Sequence, residues 1–193
     1  PLTPDMAVKE KKKIKKDEKK RIALAACNLI HENDSIIIAS GSTVHTFAEC
    51  IPPSSHLTVV TASLKIAMML NELPDVEVYQ LGGIVRKNSF SVVGDYATSF
   101  FNTITCSKLF LGVDGIDLEY GITNSNMGEA QLNRIMMEAS LRTIILADSS
   151  KFGKRGFGKI CNLEQIDVII TDSGISDSIA KSIEEMGIEL IIV

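Results

Sequence analysis

Short aliphatic runs recur along this chain, and most are followed by a polar stretch and then by a segment with helical periodicity. The runs are Ser35–Ala39, Leu57–Thr61, Val76–Leu81, Leu109–Val113, Thr143–Ala147, Ile166–Thr171 and Ile188–Val193. They are too short to span a membrane, and Ser35–Ala39, Leu109–Val113 and Thr143–Ala147 are too uniformly apolar to be half-exposed strands. Runs of this kind suit strands covered on both faces, as in a parallel sheet. Between them, Leu64, Ala67, Met68 and Leu70, and later Leu132, Ile135, Met136 and Ala139, repeat at the spacing of one helix face. Strands alternating with helices predict an α/β fold: a doubly wound, mostly parallel, Rossmann-like sheet with right-handed crossovers. The one break in the rhythm is residues 84–93, which predict a small hairpin with Asn88-Ser89 at its turn.

In open sheets of this type ligands sit outside the carboxyl ends of the strands. The polar clusters fall there. Ser40, Gly41, Ser42 and Thr43 follow the first run and lead into a helix from about Val44. Glycine lets the backbone approach a ligand, while hydroxyls and free helix N–H groups accept an anion. The same residue types also serve as ordinary helix N-caps. The loop lacks the lysine of a Walker motif, and it is not GxGxxG. Thr61 ends the second run, Gly82 follows the third, and Arg86 in the hairpin is a candidate anion contact or a plain surface arginine.

The densest cluster runs from Lys108 to Glu129. Its strand ends in Asp114-Gly115; the stretch from Gly121 to Asn126, with Thr123, reads as a flexible polar segment; and Glu129 opens a helix. Lys151 follows the strand ending at Ala147, and residues 154–160 read as a loop rich in glycine and lysine. Hydroxyls and glycines for an anion, carboxylates for sugar hydroxyls and a lysine for charge balance would suit a ligand with both phosphate and hydroxyl groups.

Charge and cysteine usage narrow the alternatives. Residues 1–20 hold eight lysines and four acids, a balance of +4, so the net charge of -4 leaves -8 for residues 21–193. An acidic body does not attract a phosphate backbone, and tryptophan is absent, which argues against single-stranded nucleic acid. Cys27, Cys50, Cys106 and Cys161 are widely spaced, with no metal-ligand pattern, as expected of reduced thiols in a cytoplasmic protein. No metal, cofactor or membrane contact is expected. Residues 1–20 read as a basic linker, with a solvated helix face as the reading of the lysine run, and residues 21–193 as the folded domain.

From about Lys19 to Val193 the chain resembles the effector-sensing domain of the DeoR family of bacterial transcriptional regulators. The resemblance rests on SGST at 40–43, LTVVTASLKIA at 57–67, LGGIVR at 81–86, VGDYA at 93–97, KLFLGVDGID at 108–117, GITNSNMGEA at 121–130, LADSSKFGK at 146–154 and IDVIITD at 166–172. It implies the fold of ribose-5-phosphate isomerases, glucosamine-6-phosphate deaminases and CoA transferases. It also implies binding of a phosphorylated sugar or related metabolite, self-association, and contact with operator DNA only through a winged helix-turn-helix for which residues 1–20 have no room. The family usually carries Asp at position 39 and Asn at position 62; this chain has Ala39 and Ala62, at strand ends expected to face the pocket. Two other function classes stay open: an isomerase-like enzyme, in which Glu129 moves a proton and Lys151 polarises a carbonyl, and a purely structural oligomerisation module.

Overall fold

The computed structural model describes all of residues 1–193. Helices are α1 (Val8–Lys11), α2 (Lys16–Cys27), α3 (Ser42–Cys50), α4 (Leu64–Leu70), α5 (Asp95–Ser99), α6 (Met127–Glu138) and α7 (Asp177–Glu185). Strands are β1 (Ser35–Ile38), β2 (Leu57–Thr61), β3 (Val76–Gln80), β4 (Ile84–Arg86), β5 (Ser91–Val93), β6 (Cys106–Gly112), β7 (Gly115–Asp117), β8 (Gly121–Asn124), β9 (Ser140–Leu146), β10 (Gly158–Cys161), β11 (Val168–Thr171) and β12 (Glu189–Ile192).

Seven strands form one sheet in the order β12-β11-β9-β6-β1-β2-β3. Every neighbouring pair in it is parallel. The alternating direction of side chains along each strand divides the core in two. Ile36, Ile38 and Phe110 point to one face, where Ile22, Ala23 and Ala26 of α2, Phe47 of α3 and Ile66 of α4 cover them. Ile37, Leu109 and Leu111 point to the other, beneath Ala97 of α5, Leu132 and Met136 of α6 and Ile183 of α7. The central runs on β1, β6, β9 and β11 are apolar because both faces are covered, while the edge strands β3 and β12 stay partly exposed, with Glu77 and Gln80 on β3.

The hairpin forms as expected, with β4 antiparallel to β5 and the turn at residues 87–90 between them. The segment 121–126 does not behave as a flexible loop, and residues 158–161 are not loop either. β7, β8 and β10 make a three-stranded antiparallel sheet in the order β10-β8-β7. It packs Ile116, Ile122 and Ile160 onto the α6 side of the core. Gly121 is what local sequence reading takes for flexibility, yet its φ is +110° and a Cβ there would run into the Cys161 carbonyl. The glycine serves tight packing of β8 against β10.

The boundary expected after residue 20 falls inside α2, which runs unbroken from Lys16 to Cys27. Residues 1–14 lie against the rest of the molecule: the Thr3 N–H donates to the Arg155 carbonyl at 2.9 Å and the Val8 N–H to the Asn88 carbonyl at 2.8 Å.

At the centre of the α2–α4 face, Phe110 stacks on Phe47 with ring centroids 4.4 Å apart, and both are fully buried. Phe110→Ala is expected to cost about 3–5 kcal/mol, the usual range for removing a buried aromatic side chain. Urea denaturation of the two proteins measures the loss.

Candidate functional site

The chain winds from β1 outwards through β2 to β3, then returns to place β6 on the other side of β1 and continues through β9 and β11 to β12. The winding reverses between β1 and β6, and a crevice opens beyond their carboxyl ends. A cavity of about 30 Å³ lies there. It gathers Ser40, Gly41, Ser42, Thr43, Arg86, Asp114, Glu129 and Lys151 from five separate stretches of the expected site.

Each wall has a local cause. β1 ends at Ile38, and α3 starts at Ser42 with Gly41 as its N-cap, at φ +143° and with no side chain capping the helix. The capping role open to Ser42 and Thr43 is therefore not the one they take; both are buried inside the first turn. The first N–H groups of α3 have no intrahelical acceptor, so the helix presents donors and the positive end of its dipole to the cavity. By contrast α4, α6 and α7 are capped by Ser63, Asn126 and Ser176.

β6 delivers Asp114, which is 8% exposed. The β7–β8 hairpin then returns the chain, so that the Ser125 N–H and hydroxyl donate to Asp114 Oδ2 at 2.8 and 2.9 Å. The Asn126 side chain accepts from the Glu129 N–H at 3.0 Å, which fixes Glu129 in the first turn of α6. Glu129 Oε1 accepts from the hydroxyls of Ser40 and Ser91, each at 3.3 Å, and lies 3.5 Å from Arg86 Nε. That separation leaves the buried Nε–H of Arg86 without a hydrogen-bond partner. An orphaned buried donor is costly and is the kind of group a ligand satisfies.

Charges in the cavity are set by one another. Burial works against the charge of Arg86, but Asp5 and Glu129 outweigh it and raise its pKa above the usual arginine value. Burial would raise Asp114; the Lys11 ammonium at 2.6 Å and the Ser125 donors outweigh it and hold the carboxyl below the usual range. Burial pushes Lys151 down, against Asp148 and with Lys11 adding to the effect.

Four expected site residues stand elsewhere. Thr61 is fully buried: its hydroxyl donates to the Ile38 carbonyl at 2.7 Å and accepts from the Ser63 N–H, tying β2 to β1. The Thr123 hydroxyl, also fully buried, accepts from the Gly156 N–H at 2.7 Å and so pins the small sheet. Gly115 is needed for packing, since a Cβ there would collide with the Lys154 carbonyl and come within 2.6 Å of Thr123 Oγ1. Gly82 is exposed, with open space around it. Ala39 and Ala62 do not line the cavity either; both are buried in the apolar core on the α6 side.

The cavity also holds residues that the sequence did not mark. Asn88 and Asn124 contribute amides, and Asp5, Met6, Val8 and Lys11 enter from the N-terminal segment. Asn124 bridges the Asn133 side chain, at 2.7 Å, to Asp114, at 3.4 Å. Nothing in the lysine run distinguishes Lys11 from its neighbours; only its position over Asp114 does.

Beside this cavity lies a second, of about 210 Å³, lined by Lys11, Lys19, Lys151 and Lys154 with Asp114 and Asp148. Lys19 is buried and donates to the Lys11 carbonyl at 2.5 Å. Burial lowers its pKa from 10.5 to about 8, with Asp148 opposing and Lys151 adding to the shift. A lysine whose folded pKa is depressed opposes folding while both states are protonated, and that penalty lifts as pH rises from the folded to the unfolded value. The stability of the wild-type protein relative to Lys19→Met should therefore increase between about pH 8 and pH 10.5, the two pKa values. Urea melts of the pair across that window check it.

No helix is long and apolar enough to cross a membrane. No group of three or more His, Cys, Asp or Glu side chains is placed to hold a metal ion. Among known structures, the fold is similar to ribose 5-phosphate isomerase A from Neisseria gonorrhoeae, with a TM-score of 0.53 and 24% identity over 72% of this chain and 55% of that one. It is also similar to eIF2B beta from Chaetomium thermophilum, with a TM-score of 0.55 and 16% identity over 80% of this chain and 48% of that one. At these identities the likeness is one of fold. Sequence relatives are closer. A putative aga operon transcriptional repressor of Escherichia coli O157:H7 is 35% identical over 187 residues, 97% of this chain and 70% of the repressor. The HTH-type transcriptional regulator GlpR of Haloferax volcanii is 33% identical over 173 residues, 90% of this chain and 68% of the regulator. The family model of the DeoR C terminal sensor domain matches residues 14–173. The chain belongs to the DeoR family of transcriptional regulators, as its sensor domain.

Proposed function

We propose that this domain senses a phosphorylated sugar or a closely related metabolite and passes the signal to a DNA-binding helix-turn-helix of the kind its relatives are named for. The observation that carries the reading is the convergence, in one crevice, of an uncapped helix N-terminus, the partly unpartnered Arg86 and Lys151 with the carboxylates of Asp114 and Glu129. Free N–H groups and cations suit a phosphate. Carboxylates suit sugar hydroxyls, which donate to them. Ser40–Thr43 with Arg86 and Lys151 would hold the anion, and Asp114 and Glu129 the hydroxyls.

The role is binding without turnover. Glu129, the one carboxylate that an isomerase reading would use as a base, is already engaged by Ser40 and Ser91. A regulator of this type reads repeated or palindromic DNA in the cytoplasm, and the sensor is the natural place for the matching self-association.

Ribose 5-phosphate, glucose 6-phosphate and inorganic phosphate make a first panel. A ligand present at about 100 times its dissociation constant should stabilise the domain by about 2.7 kcal/mol in thermal unfolding. Arg86→Gln should weaken binding about 10–100-fold, the worth of a charged hydrogen bond of about 1.5–3 kcal/mol. Isomer exchange of ribose 5-phosphate that is lost in Glu129→Gln would replace this reading with an enzymatic one.

A further inference from the structure

The crevice already has an occupant. Asp5 places both carboxylate oxygens on Arg86 Nη2, at 3.0 and 3.1 Å, and its carbonyl accepts from the Asn88 amide at 3.3 Å. Lys11 Nζ lies 2.6 Å from Asp114 Oδ1. Between them the Val8 N–H is bound by the Asn88 carbonyl. The segment thus presents an anion to the cavity's arginine and a donor to its aspartate, which are the two kinds of group that a phosphorylated sugar would present.

We infer that residues 1–14 form an autoinhibitory strap over the effector crevice, and that the effector binds by displacing Asp5 from Arg86 and Lys11 from Asp114. The inference rests on the sensor reading above and names how that site is regulated.

Space and energetics both bear on it. With the strap in place the cavity is about 30 Å³. That is room for a water molecule or so, whereas small-molecule sites run to about 300–1,000 Å³. A sugar phosphate does not fit that cavity while the strap fills it. The strap has no apolar anchor of its own. Its one helical turn, α1, contributes no buried residue. A four-residue helix has no stability of its own. What holds the segment is polar: the contacts of Asp5 and Lys11, the hydrogen bonds of Thr3 and Val8, Lys12 on Glu49 and His45, and the Lys11 carbonyl on Lys19. The Lys12–Glu49 pair is exposed and screened by salt, whereas Lys11–Asp114, with side chains 19% and 10% exposed, is the tie whose loss must be offset by the ligand.

The strap and α2 are consecutive in sequence, so lifting the strap frees the chain on the N-terminal side of the domain. Because effector and strap compete for the same partners, binding favours strap release and release favours binding, each by the same factor. A strap closed about 99% of the time would weaken apparent effector binding about 100-fold.

The test compares the wild-type chain with the double variant D5N/K11M, by amide hydrogen exchange and by binding of ribose 5-phosphate, glucose 6-phosphate and inorganic phosphate. Without ligand, exchange over residues 3–12 should be at least about tenfold faster in D5N/K11M, since local opening governs exchange. Equal exchange in the two free proteins overturns the strap. For a panel member that binds, affinity should be higher in D5N/K11M by about tenfold or more, and binding to the wild type should speed exchange over residues 3–12. Equal affinities, or slower exchange in the segment when ligand is bound, mean that the segment closes over the ligand, and overturn the competition. If D5N/K11M binds no member of the panel, the sensor reading fails for these ligands, while the exchange of the free proteins still decides the strap.

Discussion

In an all-parallel sheet the chain must cross over a face to start each new strand, and where the direction of winding reverses, no crossover covers the strand ends. Here that place lies between β1 and β6, the strand neighbours at which the two halves of the sheet meet. Everything notable about the molecule depends on that uncovered edge. The loops after β1 and β6 have no neighbouring crossover to pack against, so their polar groups face a crevice. The β7–β8 hairpin and the α6 N-terminus supply the third wall, and the β4–β5 hairpin brings Arg86 from the opposite side.

The crevice is a mixed electrostatic environment. Anion-binding features and carboxylates stand within one cavity without neutralising each other completely, because the helix donors of α3 and the Nε of Arg86 keep capacity to spare. In the closed arrangement the N-terminal segment supplies the missing charges. Asp114 is held ionised by Lys11, a residue over a hundred positions away, and Arg86 by Asp5. The site's electrostatics and the path of residues 1–14 are therefore one problem.

The same fold supports isomerases and initiation-factor subunits, and the likeness in shape carries no chemistry with it. What separates the cases is which side chains the rim holds and what already engages them. Glu129 sits among hydroxyls and an arginine, an environment that positions a carboxylate as an acceptor. Thr61 and Thr123, polar and at strand ends, turn out to satisfy buried backbone groups instead. A hydroxyl at a strand terminus is as useful for tying neighbouring segments as for meeting a ligand, and sequence does not distinguish the two.

The seven aliphatic runs, the helices between them and the hairpin at 84–93 were legible because each is a local pattern of period or composition. So was the placing of Ser40–Thr43, Asp114 and Lys151 beyond strand ends, since strand direction alone sends those residues to one rim, and of Glu129 at the start of a helix. What the tertiary structure decided depends on contacts distant in sequence. β8 is the middle strand of its sheet because β10, over thirty residues later, pairs with its free side and Gly121 permits the approach. Ala39 and Ala62 face the core because the pleat and the helices above it turn them inward. The lysine run reads as a solvated face, and it becomes a strap only where Lys11 meets Asp114 and Asp5 meets Arg86. A charge finds its partner through the folded chain, and no local pattern records which partner that is.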